Sequence, residues 1–168
     1  MELPVGPLLL RPVRTADLPV LRALLTDPRL MAHALHDRAF TPDEADGFLC
    51  SAFAGMDDVC GMHVVSIAAT DTVIGFSGYR RCHLLDVEDV EFGWVLHAAH
   101  HGRGYATALG EALILHGRAA LKLKRVLAAC HPANAASEHV LRDKLHMRFE
   151  REVTVTRPSR RRVYVKDA

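Results

Sequence analysis

The sequence has 168 residues, is 49% hydrophobic and carries a formal net charge of +1. This length and composition predict one globular domain over residues 1–168 with a single sizeable core. The nearly balanced charge excludes a broad field that would attract nucleic acid, and no stretch approaches the roughly eighteen consecutive apolar residues of a membrane-spanning helix.

Targeting and redox signals are equally sparse. The cysteines at 50, 60, 82 and 130 are far apart and form no Cys-x-x-Cys pair, which disfavours a zinc site and a redox motif. The apolar start contains Pro4 and Pro7 and has no basic leader, so we do not expect a signal peptide. The expectation is therefore a soluble, cytoplasmic protein with free thiols. The basic run Arg157–Arg162 is interpreted as a solvated turn between two strands, with a local nucleic-acid site as the alternative.

The beginning of the chain predicts a strand followed by a helix. Apolar residues favour a first strand over 8–13, and Pro12 indicates that this strand lies at an edge or ends there. Thr15 is interpreted as the N-cap of the helix, because leucines then recur at helical spacing until Asp27-Pro28 stops the run.

A capping box at Thr41-Pro42-Asp43-Glu44 predicts a second helix over Pro42–Phe53, since proline also suits the first helical position. The further predicted elements are strands at about 63–69, 72–79 and 90–96, a helix at 104–120, a strand at 125–130, a helix at 134–145, and strands at 148–156 and 161–166. The order β-α-α-β-β-β-α-β-α-β-β predicts an α/β (α+β) fold. Its mixed, mostly antiparallel central sheet has about seven strands and is flanked by about four helices.

The most informative stretch runs from the strand Glu91–Leu96 into the glycine-bearing segment His101–Thr107, which opens a helix. Free backbone N–H groups converge at a helix start, where the helix dipole favours an anion, so the segment predicts a phosphate site. Gly102 and Gly104 let the backbone approach a bulky anion or adopt positive φ. The alternative is a strand-to-helix turn whose glycines serve geometry alone, since neither a P-loop nor a dinucleotide fingerprint is present.

The segment His101–Ala106 resembles the pyrophosphate motif Gln/Arg-x-x-Gly-x-Gly/Ala of the GNAT acetyltransferases, with Gly104 and Ala106 at its two small positions. The wider run Glu-Phe-Gly-Trp-Val-Leu, then Gly-Arg-Gly-Tyr-Ala-Thr, then Asn134-x-x-Ser137 resembles the branch that acetylates ribosomal proteins at their N-termini. The resemblance spans nearly the whole chain. It implies a single GNAT domain that transfers an acetyl group from acetyl-CoA to a primary amine without a metal.

The resemblance also implies roles for individual residues. Glu91 matches a glutamate that accepts the amine proton, although it could instead orient an ammonium group or end a sheet ladder. Asn134 is implied to bind the pantetheine arm, with an ordinary helix cap as the alternative. Ser137 is the available hydroxyl that could donate a hydrogen bond to the coenzyme sulfur, because no tyrosine occurs over 134–145; a capping or surface serine is the alternative. The residues implied to bind the coenzyme are Trp94, Val95, Leu96, His101, Gly102, Arg103, Gly104, Tyr105, Ala106, Thr107, Asn134 and Ser137.

Three departures accompany the resemblance. His101 stands where the family has Gln or Arg, Ala108 stands where the branch often has Glu, and Lys144–Met147 lacks the glycine of the usual Lys-Leu-Gly-Phe. The helix before that segment is one residue longer than in the branch. We therefore expect the acetyl end of the site to be shaped differently.

The sequence does not decide which amine is acetylated. A protein N-terminal α-amino group is the first candidate, since its deprotonation at pH 7 costs about 1.4 kcal/mol against about 4.6 kcal/mol for a lysine. A small amine, an amino acid or an aminoglycoside is the second candidate, and a non-catalytic acyl-CoA-binding module is a different class. His97, His100 and His101 lack carboxylate or cysteine partners at metal-ligand spacing, so no metal site is expected. Neither nucleic acid nor a membrane is an expected partner, and a homodimer is left open.

Overall fold

The computed structural model describes residues 2–53, 60–156 and 159–167. Within these residues eight strands form one mixed sheet: β1 Leu3–Val5, β2 Leu8–Arg11, β3 Gly61–Ile67, β4 Thr72–Cys82, β5 Asp89–Leu96, β6 Arg125–Cys130, β7 Arg148–Thr156 and β8 Ser159–Asp167. Neighbouring strands follow the order β1-β2-β3-β4-β5-β6-β8-β7. Every pair is antiparallel except β5 and β6, which run parallel.

The described part of the chain contains five α-helices: α1 Leu18–Thr26, α2 Pro28–Met31, α3 Pro42–Phe53, α4 Tyr105–Ala119 and α5 Ala135–His139. Leu109 and Leu113 of α4 pack with Phe92 of β5 in one buried cluster. Leucines of α1 and α3 pack with Phe76 and Val95 in another. Side chains of a strand alternate between the faces of a sheet, so α1–α3 cover one face and α4 covers the other. No described helix is both long and apolar enough to cross a membrane.

The predicted fold class is confirmed, and local signals located most elements well. The bounds of α3, β6 and β7 agree with those predicted from the sequence. In the capping box, the Thr41 N–H donates to Glu44 Oε2 at 2.8 Å and the Glu44 N–H donates to Thr41 Oγ1 at 3.3 Å. The antiparallel meander β3-β4-β5 is also present, and Asp71 takes φ 52° in its first turn.

Two short elements were not predicted. β1 is an eighth strand at the edge of the sheet, where a proline such as Pro4 removes no needed ladder hydrogen bond. α2 is a fifth helix, and Asp27 caps it by accepting hydrogen bonds from the N–H groups of Arg29 at 2.8 Å and Leu30 at 3.3 Å. The sequence pattern showed a stop at Asp27-Pro28, but the same two residues also begin the next helix.

The described arginines of the basic run, at 160–162, lie in β8 and form ion pairs. Arg157 and Pro158 lie outside the described residues. Arg160 pairs with Glu152 at 2.7 Å, and Arg162 pairs with Glu138 at 2.8 Å. These arginines therefore connect parts of the fold and do not form an unpaired basic patch.

Asp17, and not Thr15, organises the entry to α1. Thr15–Asp17 forms a 3-10 turn, and the Asp17 carboxylate accepts a hydrogen bond from the Arg14 N–H at 2.7 Å. The same carboxylate accepts hydrogen bonds from Arg11 Nη1 and Nη2 at 2.8 and 3.0 Å, and both side chains are buried. Burial opposes ionisation, but these hydrogen bonds outweigh it, so the pKa of Asp17 lies below its ordinary value. β2 ends at Arg11, two residues earlier than predicted, and this arginine ties the strand to the helix.

Replacing Asp17 with asparagine is expected to lower the free energy of unfolding by about 1–3 kcal/mol, because the terminal nitrogens of the buried Arg11 lose their charged acceptor while its Nε still pairs with Asp71. The pKa of Asp17 is depressed in the folded state. The stability that its charge supplies is therefore present above the unfolded-state value of about 3.9 and is lost as the pH falls through the folded-state value. Urea unfolding at pH 7 and pH 3 measures both effects. Equal stabilities of the two proteins at pH 7 would contradict this assignment.

The chain after α5 contains a wider turn at the place where the sequence predicts one additional residue. Val140–Lys144 forms a π-helical turn, in which the Leu145 N–H donates to Val140 O at 2.9 Å. A π turn holds one more residue than an α turn. His146 follows with φ 51°, in the left-handed region, at the position where the glycine is missing. The histidine thus keeps a backbone conformation that favours glycine.

His146→Gly is expected to raise the free energy of unfolding by about 1 kcal/mol, because an L-residue in the left-handed region costs about 1–2 kcal/mol and the chain entropy of glycine offsets part of the gain. The His146 side chain is exposed, so few contacts are lost. Glu111→Gly, at an exposed position inside α4, is the control and should lower stability by about 1 kcal/mol. If urea unfolding shows that both variants are destabilised, the conformation assigned to His146 is wrong.

Candidate active site

The site begins where the two parallel strands of the sheet part. β5 and β6 are paired at Glu91 and Leu127, and no further pair of described residues joins the two strands toward their carboxyl-terminal ends. A cavity of about 300 Å³ opens there, lined by Gly93–Val95 from β5 and by Ala128–Cys130 from β6. Residues from α3, from the segment after α2, from β3, β4 and β8, and from the region of α5 also line it.

The loop after β5 presents open backbone amides. Gly102 and Gly104 take φ 71° and 77°, and a Cβ added to either would meet nothing within 4 Å. Gly104 is the N-cap of α4, and the Ala108 N–H donates to Gly104 O at 3.0 Å. The N–H groups of residues 105–107 therefore have no helical acceptor. These amides, the open space above the loop and the positive end of α4 fit the diphosphate of a coenzyme.

The His101 side chain connects the loop to the sheet by a hydrogen bond. His101 Nε2–H donates to Leu96 O at 2.8 Å, so the side chain ties the loop to the end of β5. Burial and the positive charge of Arg103 lower the pKa of His100. Within the described ranges, no group of His, Cys, Asp and Glu side chains is arranged to hold a metal ion.

The start of α5 carries two of the implied coenzyme residues. Asn134 Oδ1 accepts a hydrogen bond from the Ser137 N–H at 3.1 Å, so the asparagine caps the helix, while its Nδ2 group keeps donors for a ligand. Both residues line the cavity. Glu138 fixes the helix to β8, because it accepts hydrogen bonds from Tyr164 Oη at 2.7 Å and from Arg162 Nη1 at 2.8 and 2.9 Å.

Glu91 lies where the strands part, and its partner was missed by sequence reasoning. Its side chain is 5% exposed and lines the cavity. Arg80 lies opposite on β4, and Arg80 Nε donates to Glu91 Oε1. The Arg80 side chain is 56% exposed and also lines the cavity. The buried carboxylate is therefore balanced by a cation that remains accessible.

Further residues that sequence reasoning missed join opposite walls of the cavity. Arg161 Nη1 and Nη2 donate to the Asp37 carboxylate at 3.0 and 2.8 Å, and Nη2 also donates to Leu35 O at 2.6 Å. The rings of His33 and His131 stack with their centroids 4.9 Å apart. These contacts connect the segment after α2 to β8 and to the end of β6. No local signal marks them, because the partners are far apart along the chain.

Two other polar side chains of the cavity are held in their neutral form. Tyr79 Oη donates to Leu113 O at 2.5 Å, and burial raises the pKa of Tyr79. Burial, together with the nearby Glu138 charge, raises the pKa of the Cys130 thiol to about 11. At pH 7 neither side chain is an anionic nucleophile, and the Tyr79 hydroxyl is engaged with the backbone of α4.

The structure divides the residues implied by the resemblance into two groups. The members that line the cavity are Glu91, Trp94, Val95, Asn134 and Ser137. The others follow directly along the chain, where Leu96 ends β5 and His101–Thr107 forms the turn and first residues of α4. This second group lies outside the cavity lining. The glycine-bearing loop and the cavity are thus adjacent, separate parts of the candidate site.

Comparison with known proteins decides the family. A family model described as an acetyltransferase (GNAT) domain matches residues 7–148. The chain belongs to the GNAT acetyltransferase family. Members use acetyl-CoA and an amine acceptor, and the chain is accordingly an acetyl-CoA-dependent N-acetyltransferase.

Individual relatives are distant in sequence. The chain is 25% identical over 150 residues to the uncharacterized N-acetyltransferase YnaD of Bacillus subtilis, covering 89% of this chain and 84% of that protein. Its fold is similar to that of RimL, a ribosomal L7/L12 alpha-N-protein acetyltransferase solved in complex with coenzyme A, with TM-score 0.80, 16% identity and coverage of 99% and 98% of the two chains. It is also similar to the spermidine N-acetyltransferase of Vibrio cholerae in complex with CoA and spermine, with TM-score 0.75, 17% identity and coverage of 96% of each chain.

Gly104→Ala is expected to weaken acetyl-CoA binding by about tenfold, because an L-residue resists the left-handed conformation by about 1–2 kcal/mol and the loop amides must move. Gly47→Ala is the matched control. It lies at an exposed position inside α3, where an added Cβ also meets nothing within 4 Å, and should leave the affinity unchanged. Calorimetric titration with acetyl-CoA measures both variants. An unchanged affinity of Gly104→Ala would contradict the assignment of this loop to the coenzyme.

Proposed function

We propose that this enzyme acetylates the α-amino group of a protein N-terminus, by direct attack of the amine on the thioester of acetyl-CoA. The observation that carries the proposal is the position of Glu91, a buried carboxylate that lines the cavity at the point where β5 and β6 part. A proton acceptor is needed there, because an amine attacks a thioester only in its neutral form. The fold shared with a ribosomal-protein N-terminal acetyltransferase supports the acceptor class.

The residues around the cavity then have the following roles. The amides at the start of α4 hold the diphosphate, and Asn134 binds the pantetheine arm. Glu91 accepts the amine proton, directly or through a water molecule, as the nitrogen attacks the carbonyl carbon. The carbon–sulfur bond breaks, and Ser137 donates a hydrogen bond to the departing thiolate, which finally takes the proton released by the amine.

Direct attack is supported by the state of the cavity cysteine. The thiolate is the nucleophilic form of cysteine, and burial raises the pKa of Cys130 to about 11. At pH 7 only about one Cys130 in ten thousand is therefore ionised. This argues against a route through an acetylated Cys130.

Of the candidate acceptors, an α-amino group costs the least free energy to deprotonate at pH 7. Deprotonating such a group at pH 7 costs about 1.4 kcal/mol, against about 4.6 kcal/mol for a lysine or another alkylamine of similar pKa. A polyamine would also meet an unsuitable cavity. Among the described residues that line it, Glu91 is the one carboxylate, and Arg80 already pairs with it. The fold is shared with a spermidine acetyltransferase, but the described lining offers no unpaired negative charge for a polycation.

Glu91→Gln tests the proposal directly. With an α-amino peptide as acceptor, kcat at pH 7 is expected to fall by about 10²–10⁴, because a proton acceptor is removed while the shape of the side chain is kept. The Kd for acetyl-CoA should not change, and raising the pH above the pKa of the α-amine, about 8, should restore part of the rate. Coenzyme A release over a pH series provides the measurement.

Other results separate the alternatives. A loss confined to the KM of the peptide would mean that Glu91 orients an ammonium group and takes no proton. If wild-type protein binds acetyl-CoA but releases no coenzyme A with any amine, it is a non-catalytic acyl-CoA-binding module.

A further inference from the structure

The terminal nitrogens of Arg80 are available as hydrogen-bond donors at the cavity. Its Nε donates to Glu91 Oε1, whereas its two terminal nitrogens have no hydrogen-bond partner among the described residues. The other arginine of the lining differs, because both terminal nitrogens of Arg161 donate to Asp37. Arg80 therefore offers the open edge of a guanidinium group in the cavity that holds the proposed proton acceptor.

The carboxylates around the cavity are already engaged. Glu91 is bound by Arg80, and Asp37 accepts hydrogen bonds from Arg161 and from Ser159 Oγ at 2.5 Å. Although burial opposes ionisation, these hydrogen bonds hold the pKa of Asp37 below its ordinary value. The described part of the cavity thus presents an open cationic donor and no open carboxylate.

We infer that the acceptor carries a carboxylate close to its amine, and that Arg80 binds this carboxylate. The inference rests on the proposed function, because it places the amine at Glu91. A guanidinium group is planar and binds carboxylates through pairs of parallel N–H donors. Glu91 occupies the Nε side of Arg80 and leaves the terminal nitrogens for a second carboxylate. An acceptor with one amine and one carboxylate would complement the Arg80–Glu91 pair, each charge facing its opposite.

The size of this pair limits the acceptor. The two charges of the acceptor must contact neighbouring groups of one arginine–glutamate pair, and one residue of extended chain spans about 3.5 Å. The carboxylate therefore belongs to the first or second residue of the acceptor. An acidic side chain near a protein N-terminus has this chemistry, and the α-carboxylate of a free amino acid has the same chemistry. Arg80 is then a specificity-determining residue.

The test compares two C-terminally amidated peptides, Ser-Glu-Ala-Ala and Ser-Gln-Ala-Ala, by kcat/KM for coenzyme A release. A hydrogen bond to a charged group contributes about 1.5–3 kcal/mol, so wild-type enzyme should prefer the glutamate peptide by about tenfold or more. Arg80→Gln should bring the ratio close to one, and Arg80→Lys should keep part of the preference. The ratio is the readout because loss of Arg80 also leaves Glu91 unpaired and lowers both rates together.

Arg81→Gln is the matched control. Arg81 is the next residue of β4, its Nη1 pairs with Glu88 at 2.7 Å, and it is not part of the cavity lining, so the variant should keep the wild-type ratio. Free alanine and alaninamide form a second pair of acceptors. A preference for alanine that disappears in Arg80→Gln supports the inference, with the α-carboxylate as its source.

A wild-type ratio near one for both pairs of acceptors overturns the inference while the turnover itself still supports the proposed function. A ratio that persists in Arg80→Gln also overturns it, since another group must then bind the carboxylate. Absence of turnover with every α-amine overturns the proposed function instead.

Discussion

The active site depends on the loss of pairing between β5 and β6 beyond Glu91 and Leu127. Paired parallel strands exchange evenly spaced hydrogen bonds, and a sheet interrupted in its middle leaves backbone N–H and C=O groups of two strands without each other. These groups need another partner, which an extended ligand with amide groups can supply. The same interruption leaves Gly93–Val95 of β5 and Ala128–Cys130 of β6 as lining of one cavity. The sheet therefore creates the binding space and also aligns the residues within it.

Ion pairs between distant parts of the chain fix α1 and the segment after α2 against the sheet. Arg11 joins β2 to the start of α1 through Asp17 and to the β3–β4 turn through Asp71 at 2.8 Å. Arg161 joins β8 to the segment after α2 through Asp37. Buried ion pairs contribute little net stability, because desolvation offsets much of their attraction. Their charges are nevertheless costly to leave unpaired, so each pair restricts how the helices can lie on the sheet around the cavity.

The sequence predicted those helices and strands whose positions depend on neighbouring residues. It did not predict side-chain contacts that depend on how distant strands pair. The capping box at Thr41 located α3, and the apolar run 125–130 located β6, because both depend on neighbouring residues. Arg80 lay beyond the end of the predicted strand 72–79, although β4 continues to Cys82. Its pairing with Glu91 follows from the β4–β5 register, which depends on a connection whose length the pattern did not define. The Arg161–Asp37 contact joins residues 124 apart, so no short segment could indicate it.

The segment Lys144–Met147, which departs from the family pattern, is held by contacts at the C-terminal end of the helical region that begins with α5. Lys166 Nζ donates to Leu145 O and to His146 O, both at 3.2 Å, so a cation satisfies carbonyl groups that the helix end leaves open. Leu145 packs on Gly110 of α4, where any Cβ would meet Leu145 Cδ1 at 2.4 Å, and this close contact fixes the position of the π turn. Of the segment 140–147, Leu141 is the member that lines the cavity. The segment therefore contacts the cavity through the apolar side chain of Leu141, while the start of α5 keeps its Asn134 cap and contributes Ser137 to the same lining.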